Sequence, residues 1–318
     1  MKTSGFLSAI EPVCPPDLLT RAEAAGRVRV AIARAGAPLP MQAAMEATTA
    51  GIMEPVFTGE RADIEREAEA LGWDIGGFRV IEAEGEGASG LAAAEVCGAG
   101  EADVLMKGQL HTDTFVKSAL NRAAGLRTGE RLVHTFHISP PNGGRAIAIS
   151  DAAVNVMPDL GTRQASTQAV VSLLRALGND HPRVAFLSAT ESPIPSVPSA
   201  VEARALADWA KGAIKGAFFS GPLALDLILS PQAAAVKGMQ DDPVAGRADA
   251  IVVPDIVSGN AIFKALVYLA GGCAGGLVSG AKVPILLTSR ADPAAARLAS
   301  AALAAIMTGQ EARGKKFF

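Results

Sequence analysis

The sequence predicts an α/β fold of two lobes, and three observations carry that expectation. Short apolar runs of strand length alternate with helix-patterned segments long enough to serve as the crossovers that parallel strands require. One pair of runs, LVHTFHI and RAIAIS, is separated only by SPPNGG, whose Pro-Asn-Gly-Gly content marks a hairpin, and so an antiparallel pair at the junction between lobes. Finally, 318 residues that are 49% hydrophobic and 19% charged suffice for one large core or two ordinary ones.

Taken in order, RVAIA reads as the first strand and Pro38 to Ala50 as a helix. IMEPVFTG, the charged helix ERADIEREAEALG, FRVIEAE, a small-residue helix near Gly90 to Gly98 and DVLMKG continue the rhythm. A helix near Thr114 to Ala123 leads into the hairpin. Beyond it come helix Arg163 to Leu177, strand RVAFLSA, helix Ser199 to Lys211, strand AIVVPDI, helix Asn260 to Ala270 and a second glycine-rich loop. The run PILLT and a last helix from Pro293 to Met307 follow.

Composition narrows the function classes. A formal net charge of -3 and a pI of about 5.9 supply no basic field for nucleic acid or anionic lipid, so any phosphate binding has to be local. No segment approaches the roughly 18 uninterrupted apolar residues of a membrane span, and Glu11 with the prolines at 12, 15 and 16 cuts FLSAI too short for a signal peptide. Cys14, Cys97 and Cys273 are odd in number and lack CxxC spacing, which argues against a disulfide framework or a zinc site and for a reducing cytoplasm. His134, His137 and His181 lack metal-ligand spacing and read as structural, so no metal is expected.

Residues 249 to 292 concentrate the candidate chemistry. An apolar run ends in Pro254-Asp255, a Gly259-Asn260 loop is read as opening a helix that carries Lys264, and a later apolar run ends in Ser289-Arg290. Ligands of open α/β sheets bind outside the carboxyl ends of strands, where loops converge and helix N-termini offer unpaired N–H groups. Lys107, Gly108, His111 and Thr112 follow the run DVLM and fall at such an end as well.

These residues also carry a resemblance. The PDxxxGNxxxK pattern (Pro254, Asp255, Gly259, Asn260, Lys264), the segment GLVSGAKVP and the terminal TSRAD (Thr288 to Asp292) resemble the phosphate acetyl/butyryltransferase family. ADVLMKGQLHTDTF, SDAAVNVMPDL and GPLALD resemble further segments of it in the same order, a combination far more specific than any single short motif. The resemblance implies two α/β domains around a cleft, an isocitrate/isopropylmalate dehydrogenase-like fold. Its first domain is discontinuous, residues 1–137 and 284–318, and its second spans 138–283. It also implies a reversible reaction through a ternary complex, acyl-CoA + phosphate = CoA + acyl phosphate, with CoA as substrate, no cofactor, and a homodimer.

That reaction needs cations or N–H groups for phosphate, help in removing the thiol proton, and donors for an oxyanion. Read from the residues alone, Arg290 is either a guanidinium gripping phosphate or an ordinary solvent-facing arginine, and the resemblance favours the grip. Ser289 resembles the family serine that bonds the sulfur or the oxyanion. Asp292 reads either as a general base or as an N-cap with Pro293 at the first helical position. The stretch Pro293 to Arg297 lacks the aspartate that acetyl-specific relatives carry a few residues beyond the arginine. Asp292, a group elsewhere, or no base at all therefore remain open.

Lys107 reads as a phosphate contact or a strand-end lysine, and His111 as a chemical group or a helix start that Thr112 or Asp113 caps. Asn260 and Lys264 read as a helix-start phosphate site or as a capped amphipathic helix. Asn155, Asp159 and Asp226 are placed on the second-domain wall by the resemblance alone. GTRQASTQ after that segment and Leu227 after Asp226 depart from the family pattern, leaving acetyl against butyryl open.

Two rivals stand beside this reading. An NAD-dependent dehydrogenase of the related two-lobed fold is suggested by Gly85, Gly87 and Gly90, a literal GxGxxG, but Asp103 begins the next strand where a ribose-binding acid should end one. A non-catalytic regulator that binds CoA esters or acyl phosphate fits the missing aspartate.

Overall fold

The computed structural model describes residues 4–287 and 292–312. The alternation read from the sequence recurs in two compact units. The first comprises Pro12–Leu132 and the C-terminal segment from Gly275, and the second comprises Val133–Ala274 with the residues up to Glu11.

In the first unit, α1 (Pro16–Ala25) precedes β1 (Val28–Ala33), α2 (Pro38–Thr49), β2 (Met53–Gly59) and α3 (Arg61–Ala70). β3 (Arg79–Glu82), α4 (Gly85–Gly98), β4 (Val104–Lys107) and α5 (Thr112–Ala119) follow. β1 is buried at all but one position because helices cover both faces, which is why VRVAIA reads as a continuous apolar run. The second unit holds β5 (Val133–Ser139), β6 (Ile147–Ser150), α6 (Leu160–Ala176), β7 (Arg183–Leu187), α7 (Pro198–Ala213) and β8 (Phe218–Leu223). α8 (Leu225–Leu229), α9 (Pro231–Val236), β9 (Ala250–Val252) and α10 (Ile256–Lys264) complete it, α10 running on into a π-helical turn, Ala265–Leu269. The chain returns to the first unit through β10 (Cys273–Ser279), β11 (Ile285–Leu286) and α11 (Ala294–Ala312).

Both units are mixed sheets. The first runs β3-β2-β1-β4-β11-β10, parallel except for β10 against β11. The second runs β5-β6-β9-β7-β8, parallel except for the hairpin β5–β6, in which Thr135 faces Ser150 as the Pro-Asn-Gly-Gly connection predicts. Its core fills one face of the sheet with Ile149, Val253, Leu187 and Leu223 and the other with Val170, Leu174, Phe186 and Phe219.

Three readings of local structure need correction. The glycine-rich segment after Gly271 is not a loop throughout, because Cys273–Ser279 is a fully buried strand. Gly275 permits this, since a Cβ there would come within 2.9 Å of the Ala299 backbone in α11. β8 goes unread because its Gly-Pro pair resembles a turn, yet glycine is required where a Cβ at 221 would lie 2.7 Å from Phe186 Cβ. α1 is hidden by the prolines that open it, Pro16 sitting where a missing N–H is harmless.

Cys14, Cys97 and Cys273 are free and buried. Burial, with Asp103 adding to it, pushes the Cys97 thiol up to about 12. Burial alone pushes Cys273 up to about 11.

The GxGxxG segment is the first turn and a half of α4, and its glycines have separate roles. Gly90 packs against α5, where a Cβ would meet Ser118 Oγ at 2.6 Å, and Ser89 turns its hydroxyl back to Gly85 carbonyl oxygen. Around Gly87 nothing lies within 4 Å of such a Cβ, while at Gly98, the end of the same helix, the Ala124 carbonyl oxygen would lie at 1.7 Å. Gly87→Ala is therefore expected to stabilise the protein by roughly 0.5–1 kcal/mol. Gly98→Ala is expected to cost about 1–3 kcal/mol, both read from urea unfolding. A loss at position 87 would contradict the packing account of this motif.

Candidate active site

At the carboxyl end of the first sheet, β4 leaves Lys107 nine-tenths buried and turns at Gly108. The Gly108 N–H bonds the Ala33 carbonyl and the Gln109 N–H the Arg34 carbonyl, each at 2.9 Å. A Cβ at 108 would lie 2.3 Å from the Ala33 oxygen and 2.5 Å from that of Arg34, so only glycine fits this crossing. Arg34, leaving β1, takes φ +53, a left-handed conformation uncommon outside glycine.

From there its guanidinium reaches Glu60 after β2 at 3.1 and 3.3 Å, the Gln109 carbonyl at 3.4 Å, and Glu86 at the start of α4 at 3.6 Å. Burial works to raise the Glu60 carboxyl, but the Arg34 bonds and the Gly85 N–H outweigh it and leave it below its ordinary value. Glu86 accepts the His111 N–H at 3.0 Å, and both its oxygens lie 2.9 Å from His111 Nδ1. The His111 backbone N–H first, then the imidazole, hold the Glu86 carboxyl below its ordinary value. His111, not Thr112 or Asp113, occupies the cap position of α5, and Glu86 from α4 accepts its backbone N–H, one of the donors the helix start leaves unpaired.

β11 runs parallel to β4 with Leu286 opposite Met106, so it leaves the sheet beside Lys107. Ser289 and Arg290 lie outside the described residues. Asp292 does not cap α11. The Pro293 carbonyl accepts the N–H groups of Ala296 and Arg297, which puts the cap at Pro293 and Asp292 one residue before it. The Asp292 carbonyl accepts from the buried Arg297 guanidinium at 2.5 Å.

The carboxyl end of the second sheet is organised by Asp151, which the sequence reading passed over. Its Oδ1 accepts the N–H groups of Ala153 and Val154 at 2.9 Å, and its Oδ2 the His134 N–H at 3.1 Å and the Asn155 amide at 2.6 Å. Asp159 caps α6 through the Thr162 N–H at 2.8 Å, and Asp255 caps α10 through the Ser258 N–H at 2.8 Å. That cap corrects the expected helix start: Gly259 and Asn260 lie within α10 and offer no free helix N-terminus. Gly259 instead lets α10 approach Ala152, and the Asn260 amide donates to the Ala152 carbonyl at 3.4 Å. Lys264 is exposed one turn further on.

Asn155, Asp255, Gly259 and Asn260 thus meet around one loop. Asp226, after β8, stands apart from them, accepting the Leu227 N–H at 2.9 Å with Lys237 at 3.9 Å. The two departures from the family pattern fall in packing positions. Leu227 is fully buried, and Arg163 of GTRQASTQ is buried and donates to Glu202 at 2.9 Å.

Three comparisons bear on this arrangement. The profile of the family described as "Phosphate acetyl/butaryl transferase" matches residues 88–305. The chain is 40% identical to a phosphate acetyltransferase of Rhizobium meliloti over 83% of each chain. It is 33% identical to a phosphate butyryltransferase of Clostridium acetobutylicum over 93% of this chain and 98% of the other. A crystal structure of a branched-chain phosphotransacylase from Enterococcus faecalis superposes with TM-score 0.78 at 28% identity, covering 88% of this chain and 99% of that one. Among the described residues no helix is long and apolar enough to cross a membrane.

His134, beside Asp151, gives the second site a pH signature. Burial pushes its imidazole down to about 4, against the opposing pull of the Asp151 carboxylate. An unfolded histidine takes its proton near 6.5, so between roughly pH 6.5 and 4 the unfolded chain binds more protons and stability falls as pH falls. The contribution is complete above that window and amounts to about 3 kcal/mol across it. Urea unfolding at pH 7, 5.5 and 4.5 should show a shallower decline in His134→Phe than in the native protein. Equal slopes would contradict this account.

Proposed function

Because the chain belongs to the phosphate acetyl/butyryltransferase family, we propose a specific division of labour for its reaction, the reversible transfer of an acyl group between CoA and inorganic phosphate. Acyl-CoA and phosphate give CoA and acyl phosphate by direct attack within a ternary complex. Acyl phosphate is already activated, so neither a protein nucleophile nor a resident cofactor enters. Arg290 grips the phosphate by parallel charge-assisted hydrogen bonds, with Lys107 adding positive charge beside it. Ser289 donates to the sulfur or to the oxyanion of the tetrahedral intermediate.

The observation that supports this most is the parallel pairing of β11 with β4, Leu286 opposite Met106, so that β11 ends at the same edge of the sheet from which the Lys107–Thr112 loop begins. Gly108 provides close backbone approach there, and Thr112 begins the helix that follows. Asn155, Asp226, Asp255, Gly259, Asn260 and Lys264 line the second wall of a cleft between two α/β domains, in the isocitrate/isopropylmalate dehydrogenase-like arrangement. The Asp151-held loop supports this role for Asn155, and the Asp255-capped helix supports it for Asn260 and Lys264. The enzyme works in the cytoplasm as a homodimer on a short acyl group, acetyl or butyryl.

Arsenate-dependent consumption of acetyl-CoA and butyryl-CoA, followed at the thioester, tests the reading, because acyl arsenate hydrolyses and pulls the reaction forward. Loss of one thioester is expected and identifies the acyl group, whereas loss of neither would overturn the short-acyl assignment. Arg290→Ala should lower turnover at least about tenfold, since a charge-assisted hydrogen bond contributes about 1.5–3 kcal/mol. Turnover near that of the native enzyme would reject the phosphate role.

A further inference from the structure

We propose that His111, oriented by Glu86, accepts the thiol proton of CoA in this reaction, so that an imidazole on the β4 loop is the general base rather than a carboxylate after Arg290. The inference rests on the acyl-transfer reading above. Its own support is the geometry around the ring. Both Glu86 oxygens lie 2.9 Å from Nδ1, and the same carboxylate takes the His111 N–H. A neutral imidazole carries one N–H, and a carboxylate facing Nδ1 draws that proton there, leaving the lone pair on Nε2. The side chain is 72% exposed, so Nε2 is open to a substrate.

Glu86 is itself held from behind by Arg34, whose guanidinium is fixed by Glu60 and the Gln109 carbonyl. Histidine, orienting carboxylate and anchoring arginine come from three different strand exits. A cap for α5 alone would need only the bond from the His111 N–H to Glu86, and the second bond, to the ring, is unexplained by capping. The ring also sits on the loop that follows Lys107, beside which β11 leaves the sheet.

Sulfur forms a bond to the acyl carbon as Nε2 takes the S–H proton, and the carbon–oxygen bond to phosphate breaks with its electron pair leaving on phosphate. The imidazolium then passes its proton to the departing phosphate. In the reverse direction the imidazolium protonates the thiolate as it leaves. Glu86 is a positioning residue, acting through the ring it orients.

The test follows thioester formation from CoA and acyl phosphate by the full-length enzyme between pH 6 and 9.5. The charged groups around the ring are Glu86, Arg34 behind it, Glu60 behind Arg34, Lys107 on β4, and the paired Asp113 and Lys117 on α5. His111→Gln should lower kcat about 100-fold near neutrality, with KM for acyl phosphate within about threefold. The deficit should shrink as pH approaches the thiol's own pKa, about 8.5 for a cysteine-like thiol, because thiolate needs no base. Glu86→Gln should lower kcat about tenfold with KM unchanged, and added imidazole should restore part of the His111→Gln rate.

Several outcomes would overturn the proposal: kcat of His111→Gln within about threefold of the native enzyme at all pH values, a loss that does not vary with pH, or rescue by high pH in Asp292→Asn instead. Absence of transfer by the native enzyme would overturn the acyl-transfer reading, and this proposal with it.

Discussion

The carboxyl edge of the first sheet depends on one backbone crossing. Gly108 passes so close to the carbonyl oxygens of Ala33 and Arg34 that no side chain can stand there, and the two N–H···O bonds made in passing lock the exit of β4 to the exit of β1. Arg34 is turned into the left-handed region at the same point. Strain of that kind costs on the order of 1–3 kcal/mol and persists only where surrounding bonds over-determine it. Here the Glu60, Glu86 and Gln109 contacts of the guanidinium do so. The orientation of His111 follows from that chain of constraints rather than from its own helix.

The second sheet solves a related problem by different means. Its exits also carry carboxylates, Asp151 and Asp255 just past strands and Asp159 before α6, but each accepts backbone N–H groups of the turn or helix that follows. A cap of this sort contributes about 1 kcal/mol, and three of them stiffen the loops that present Asn155 and Asn260. On this edge the acids set geometry, Asp151 holding the Asn155 amide directly while the Asn260 amide rests on the Ala152 carbonyl and Lys264 is exposed.

Much of the fold was legible because periodicity reports burial. β1, β2, β4, β7 and β9 are apolar runs buried on both faces, and the hairpin declared itself through its Gly-rich connection. Legibility failed where glycine served packing rather than turning. Cys273–Ser279 and Phe218–Leu223 look like loops because close neighbours forbid a Cβ, a fact visible only once Ala299 and Phe186 are in place. In the candidate site, motif residues were found but their partners were not. Glu86 sits inside a GEG that invites a dinucleotide reading, Asp151 stands four residues before the more conspicuous Asn155, and Arg34 depends on a positive φ that no pattern announces. The helix start was misplaced at Asn260 because Gly259 resembles a loop residue, whereas Asp255 with Ser258 three residues on was the capping signal.

The burial of the three cysteines takes on a chemical meaning in an enzyme whose substrate is itself a thiol. An activated acyl group does not distinguish one thiolate from another except by availability. With Cys97 pushed up to about 12 and Cys273 to about 11, those two thiols stay protonated near neutrality, and Cys14 is buried with them. Burial of this kind works against self-acylation and against mixed disulfides with CoA, because both need an accessible thiolate. The same core packing that supports the sheets leaves the substrate as the one sulfur nucleophile the reaction meets.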